Sequence, residues 1–210
     1  MPTKEEWMKA LEERHGKGLH KAFSSATVAV CGLGGLGSNI AIALARAGVG
    51  KLILIDFDRV DITNLHRQQY KPSQIGMYKT DALLDNLREI APYIELEIHT
   101  ERITEDNAIT LLRGADVICE AFDDAECKAS FANTLLSELP DKYLVAASGM
   151  AGMGATNSIK TRRITSRFYL CGDETSEVSD GIGLVAPRVA LCAAHQAHTV
   201  LRILAKQFEV

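Results

Sequence analysis

VAVCGLGGLGSNIAIALARAGVGKLILIDFD, residues 28–58, is the stretch whose reading decides the fold. Val28, Ala29 and Val30 form an apolar strand pattern that runs into Gly32-Leu33-Gly34-Gly35-Leu36-Gly37. An apolar helix pattern follows, then a second strand, Lys51–Ile55, which ends on Asp56. This is a G-x-G-x-x-G turn with an acid 24 residues past its first glycine, the layout of a dinucleotide-binding βαβ unit. In that layout Gly32 permits the tight turn, Gly34 lets backbone amides approach a phosphate, and Gly37 allows close packing of helix on strand. Gly35 opens the helix, whose N-terminus adds a partial positive charge. Asp56, at the tip of the second strand, is placed to accept from ribose hydroxyls; the plainer alternative is a carboxylate that caps its own loop.

The residues that follow do not suit a dehydrogenase. Asp58, Asn64, Arg67, Gln68 and Lys79 crowd in directly after the second strand. Arg67 offers a planar fork for phosphate oxygens, and Lys79 a compact second positive charge. Together they fit the charge that develops on a leaving pyrophosphate better than a nicotinamide ring. His66, between them, reads as a packing or surface residue. Further on, the apolar run 116–121 ends in Phe122-Asp123-Asp124. Asp123 is a candidate Mg²⁺ ligand on a bound triphosphate, and Asp124 a candidate N-cap for the next helix.

Working outward, strand patterns at 27–31, 51–56, 94–100, 116–121, 143–148 and 166–171 alternate with helix patterns at 4–22, 35–47, 72–90, 105–113, 125–138 and 182–207. That alternation predicts an α/β fold: a Rossmann-like, mostly parallel sheet with helices on both faces, in one domain over 1–210. Two polar, turn-rich stretches, 57–78 and 149–181, return to the carboxyl edge of such a sheet, where ligands bind. The second is rich in glycine and reads as a mobile substrate loop.

Composition narrows the class. The 210 residues are 47% hydrophobic, enough for one sizeable core. Net charge is −4 and there is no basic run, which argues against nucleic acid as the default partner. No apolar run approaches the ~20 residues of a membrane span, and the first residues have no signal-peptide pattern, so a cytoplasmic protein is expected. Among the five cysteines no C-x-x-C pair occurs, so no structural zinc is expected; Cys31 and Cys119 read as buried small hydrophobes.

Taken together, these residues resemble the ThiF/MoeB/HesA adenylyltransferases, relatives of the ubiquitin-activating enzymes. The resemblance covers nearly the whole chain. It is carried by residues 30–50, by LIDFDRVDITNLHRQQ at 54–69, by Gln74–Lys79 and by Glu120–Lys128. Arg14-His15-Gly16-Lys17, Tyr169–Asp173 and Gly183–Val189 resemble the short ThiF members of the thiamine pathway. The resemblance implies that ATP and the C-terminal Gly-Gly carboxylate of a small ubiquitin-like sulfur carrier combine to give an acyl-adenylate and pyrophosphate. It implies roles as well: Asp56 for the ribose, Arg67 and Lys79 for the phosphates, Asp123 for Mg²⁺ and ATP, and Asn64 and Gln68 for the pocket lining. Arg14 matches an arginine that reaches the ATP of the other subunit, which implies a homodimer. The larger members carry zinc-binding C-x-x-C pairs and a loop cysteine; this sequence lacks the pairs, and Ser179 stands where the cysteine is expected. Cys171 is then the only cysteine near enough to form a covalent intermediate, and it has no activating cation beside it in sequence. On this reading the protein binds ATP-Mg²⁺ in preference to NAD⁺; equilibrium titration with the two nucleotides checks it, and tighter NAD⁺ binding would revive an oxidoreductase.

Overall fold

Four short runs rich in Val, Ile, Leu and Ala are buried on both faces, which is how strands of a covered parallel sheet read. The computed structural model describes residues 1–179 and 181–210. Its seven strands are β1 (Thr27–Cys31), β2 (Lys51–Ile55), β3 (Glu95–His99), β4 (Val117–Glu120), β5 (Tyr143–Ala147), β6 (Lys160–Arg163) and β7 (Phe168–Gly172), in the spatial order β3-β2-β1-β4-β5-β7-β6. All neighbours are parallel except β6, which runs antiparallel to β7 at the edge. The helices are α1 (Lys4–His15), α2 (Lys17–Ser24), α3 (Gly35–Arg46), α4 (Lys79–Ile90), α5 (Glu105–Leu112), α6 (Ala125–Glu138) and α7 (Ala186–Leu204). This is the expected α/β architecture.

Two apolar clusters flank the sheet. One packs Val28, Val30, Leu52 and Leu54 against Ile40 and Leu44 of α3, Leu83 and Leu87 of α4, and Val200 of α7. The other packs Ala29, Cys31, Ile53 and Ile55 against Leu112 of α5 and Phe131 and Leu135 of α6. The strand alternation thus sends alternate residues of β1 and β2 to opposite layers.

The chain leaves β1 towards β2 and β3, then crosses back to lay β4 on the other side of β1. That reversal opens a crevice at the carboxyl ends of β1 and β4, the place where open α/β sheets bind ligands.

Three sequence expectations change. The helix expected over 4–22 breaks at Gly16, whose φ of +81° lies outside the helical range, so His15 ends one helix and Lys17 starts another. The helix expected over 72–90 begins only at Lys79; a single 3-10 turn, Pro72–Gln74, precedes it. The stretch 149–181 is not one loop: it contains β6 and β7, joined by a tight turn in which the Ile164 and Thr165 amides donate to the Phe168 carbonyl. Its polar edge strand, Lys-Thr-Arg-Arg, carries no apolar alternation and could not be read as a strand. Asp180, within that stretch, lies outside the described residues.

Gly37 is required by packing: a methyl group there would sit on the Gly32 carbonyl oxygen. Gly37→Ala is expected to cost about 3 kcal/mol or more. Urea unfolding measures this; an unchanged midpoint would show that the turn can yield.

Candidate nucleotide site

The site begins with Asp56. β2 ends there and the carboxylate, 8% exposed, turns back over the sheet. Its Oδ2 accepts from the Leu33 amide at 2.6 Å and its Oδ1 from the Asp58 amide at 2.8 Å. The loop-capping alternative therefore holds, and the same carboxylate lies at the cavity wall with its remaining lone pairs available. Lys79, the first residue of α4, is 5% exposed; its ammonium pairs with Asp58 at 2.8 Å and stands 4.0 Å from Asp56. Main-chain bonds from Lys79 to Asp58 and from Val60 to Met77 strap the two segments together.

The 3-10 turn Ile62–Asn64, started by Asp61 as its cap, delivers the next group. The Asn64 carbonyl accepts from the Arg67 and Gln68 amides, and Asn64 Oδ1 accepts from Arg67 Nη2 at 3.0 Å. Arg67 Nε and Gln68 Oε1 are buried with no partner. Burial lowers the Arg67 pKa, and Asp123 opposes that shift across the cavity. Asn39 and Ser38 of α3 bind this segment by their side chains, to the Arg67 carbonyl at 3.2 Å and from the Gln69 amide at 3.1 Å. Tyr70 adds a bond to the Leu33 carbonyl at 2.7 Å, so the glycine turn is held from behind.

On the opposite wall, β4 delivers Phe122, Asp123 and Asp124. Asp124 caps α6, accepting from the Cys127 amide at 2.7 Å, as expected. That bond holds its pKa low. Asp123 is exposed at the cavity.

The result is a cavity of about 800 Å³. The structure brings Gly32, Gly34, Gly35, Asp56, Asp58, Asn64, Arg67, Gln68, Lys79 and Asp123 to its walls. Gly37 lies beneath it, in the packing. Arg14 does not line it; it is exposed near the end of α1. Cys171 is also elsewhere: it sits on β7 at 0% exposure, and burial pushes its thiol upward, although Thr161 and Thr199 pull the other way. That is an inert environment, not that of a reactive loop cysteine. Cys31 and Cys119 are fully buried, as read from their strands.

Three features escaped the sequence reading. Glu120, at the end of β4, is buried against Lys128. Gln196 of α7 reaches the sheet, its Nε2 donating to the Glu120 and Val145 carbonyls. Arg188, at the start of α7, pairs with Asp173 at 2.5 Å and donates to the Gly154 and Ala155 carbonyls. The last pair organises a second, open cavity that shares Ala151, Ser176 and Glu177 with the first; Ser179 lines this second one. A lone Arg in an Ala-Pro-Arg sequence gives no hint that its partner is 15 residues upstream.

A nucleotide-sized cavity at the switch point of a parallel sheet, walled by a glycine turn, a buried lysine, a half-buried arginine and convergent carboxylates, defines a nucleotide-binding α/β protein. The chain belongs to the ThiF family, whose model matches residues 8–210. It is similar to adenylyltransferase and sulfurtransferase MOCS3 of Culex quinquefasciatus, 42% identical over 100 residues, 47% of this chain and 23% of the relative. It is also similar to adenylyltransferase and sulfurtransferase UBA4 of Lodderomyces elongisporus, 28% identical over 191 residues, 88% of this chain and 41% of the relative. The chain thus spans less than half the length of these curated relatives. Its fold matches that of E. coli tRNA N6-threonylcarbamoyladenosine dehydratase, solved with ATP, with a TM-score of 0.86, 21% identity, and coverage of 99% of this chain and 98% of that one.

The Asp173–Arg188 pair yields a pH prediction. Burial works to raise the Asp173 pKa, but bonds from the Ser176 and Thr175 amides and from Arg188 outweigh it and hold the carboxyl well below the usual range. A depressed folded-state pKa means that this stabilisation is complete above the unfolded value of about 3.9 and is lost as pH falls below it. Asp173→Asn strands Arg188 and is expected to cost about 3–5 kcal/mol at pH 7. The gap to the wild type should narrow from pH 4 downward in denaturant titrations; a gap independent of pH would show that the carboxylate carries no charge-dependent stability.

Proposed function

We propose that the protein adenylylates the C-terminal carboxylate of a small ubiquitin-like sulfur carrier ending in Gly-Gly, and does so in the synthesis of the thiamine thiazole. The observation that carries the reading is the pairing, in one cavity, of buried unpartnered groups on Arg67 and Gln68 with an exposed carboxylate on Asp123. Buried polar atoms are rarely left unmatched, and Arg67 and Gln68 both line the cavity in which phosphates would lie. The membership of the chain in the ThiF family supports the reaction class. The similarity of the RHGK and YLCGD segments to short ThiF members supports the choice of carrier.

In this mechanism ATP lies with its phosphates over the glycine turn and its ribose against Asp56. A carboxylate oxygen of the carrier attacks the α-phosphorus; the bond to the bridging oxygen breaks and pyrophosphate leaves with that electron pair. Arg67 donates to phosphate oxygens and Lys79 supplies positive charge to the same group, with the N-terminus of α3 adding its partial charge. No protein nucleophile is needed, because the carrier supplies it; positioning and charge stabilisation account for the rate. Mg²⁺ would be held by Asp123 together with the phosphates and would neutralise charge on them, since one carboxylate plus phosphate oxygens is a common set for this ion. Arg14, exposed and outside this chain's own cavity, would act in the cavity of a second copy of the chain, making the active unit a symmetric dimer.

ATP–pyrophosphate exchange with and without a Gly-Gly carrier is the test. Exchange should depend on the carrier and fall at least about 100-fold in Arg67→Ala and in Asp123→Ala. Arg14→Ala mixed with Arg67→Ala should recover part of the activity by pairing one intact site. Exchange stimulated by a molybdopterin-type carrier or a peptide carboxylate instead would move the substrate, and an absence of exchange with every carboxylate offered as adenylyl acceptor would sink the reading.

A further inference from the structure

A second buried ion pair stands at the cavity wall and is used by none of the chemistry above. Glu120, the last residue of β4, is 1% exposed. Its Oε1 accepts from the Lys128 ammonium at 2.6 Å and from the Phe122 amide at 2.7 Å. Burial pushes this carboxyl up, against the pull of Lys128 and of the Phe122 and Ala147 amides. An ion pair taken out of water is seldom worth more to stability than an apolar pair of the same volume. Stability alone therefore gives little reason for its presence.

Its geometry gives a better one, because only one end is sealed. The Lys128 side chain is 21% exposed and lines the cavity from the first turns of α6, whereas the Glu120 side chain beneath it is 2% exposed. The carboxylate takes one of the three ammonium hydrogens, and among the described residues Lys128 Nζ has no other partner. Two donors therefore remain on a cation whose long, flexible arm has been fixed. The same carboxylate fixes the backbone of 121–123 through the Phe122 amide, and that backbone is the wall against which Gly32 turns: a side chain there would meet the Ala121 carbonyl at 2.8 Å. Asp123 and Lys128 are thus held relative to the glycine turn by one group. The cavity's other cations are differently committed: Lys79 to Asp58, Arg67 towards Asp123, and the exposed Arg102 over the Phe57 ring.

We propose that Lys128, anchored by Glu120, is a further substrate-contacting cation of this site, which donates to an oxyanion of the reacting centre, and that Glu120 is its positioning residue. The inference rests on the adenylylation reading, in which two anions, the acyl carboxylate and the α-phosphate, have to be brought into contact. A fixed ammonium between them lowers their repulsion. The oxyanion belongs to the α-phosphate or to the acyl carboxylate, and the two sources are separable by experiment.

Lys128→Met alone would strand a buried carboxylate, so the informative protein is the Glu120→Gln, Lys128→Met double variant, in which both groups are neutral and close to their original size. It is compared with wild type and Lys128→Arg by thermal melting, by calorimetric titration of ATP alone, and by pyrophosphate exchange with a Gly-Gly carrier. The double variant should melt near wild type yet lose about tenfold to a hundredfold in kcat/KM, the range of a charge-assisted hydrogen bond, with Lys128→Arg recovering most of the loss. Weakened ATP binding would assign the contact to the α-phosphate. Unchanged ATP binding with a raised carrier KM would assign it to the acyl carboxylate, and a loss confined to kcat would assign it to the transition state. Wild-type ATP affinity, KM and kcat in the double variant would overturn the proposal and leave the pair a structural one. Should the double variant not fold, Glu120→Asp keeps both charges and shortens the anchor by one methylene. Altered KM or kcat in Glu120→Asp supports positioning, and unaltered kinetics overturns it. The ATP titration needs no acyl substrate: if wild type binds ATP but exchanges with no carrier, the adenylylation reading fails, while the effect of the double variant on ATP affinity still decides whether Lys128 touches the nucleotide.

Discussion

The carboxylate of Asp56 sets where everything else in the cavity lies. One oxygen takes the amide of Leu33 in the glycine turn and the other takes the amide of Asp58 in the segment that leaves β2. Two backbones that share no strand register beyond Cys31 and Ile55 are thereby locked at the carboxyl edge of the sheet. A charge at 8% exposure needs compensation, and Lys79 supplies it from the first residue of α4. In this partly dry environment the attraction is stronger than at the surface and little screened by salt. The site is built on strand and helix ends, and its loops are tied to those ends at several points.

Helix direction adds to this. α3, α4 and α6 all follow strands or loops of the carboxyl edge, so their N-termini open at the cavity, at Gly35, Lys79 and Ala125. Each contributes a partial positive charge. Asp124 consumes some of that potential at α6 by capping it. At α3 no side chain does so: Gly34 makes no capping bond, which leaves that terminus to a bound anion. The two ends thus differ: α6 is closed by a carboxylate and α3 has no side-chain cap.

The second, open cavity extends the same edge of the molecule. It is organised by Arg188 and Asp173, which pull the segments near 154 and 176 onto the start of α7. Because it shares Ala151, Ser176 and Glu177 with the nucleotide cavity, the two form one continuous surface. His66 meets the segment before α7 through the Leu184 carbonyl, so the loop bearing Arg67 and the segment preceding α7 are in contact as well.

Much of this was legible in residues 28–58, because a glycine turn between two apolar strands leaves the backbone few alternatives: the βαβ unit, the parallel sheet and the nucleotide edge follow from local pattern. The cluster after β2 was legible for the same reason, since Asp56, Asp58, Arg67 and Lys79 are close in sequence and confined to one edge. The break at Gly16, the late start of α4 and the edge strand β6 were not, because each depends on a backbone angle or on a neighbour for pairing that composition does not record. Least legible were Glu120 with Lys128 and Asp173 with Arg188. In sequence these are ordinary charged residues; only the folded sheet removes their carboxylates from water and leaves each with one cation to face. Local sequence determined which edge binds a nucleotide, and tertiary burial decided which charges there are fixed in place.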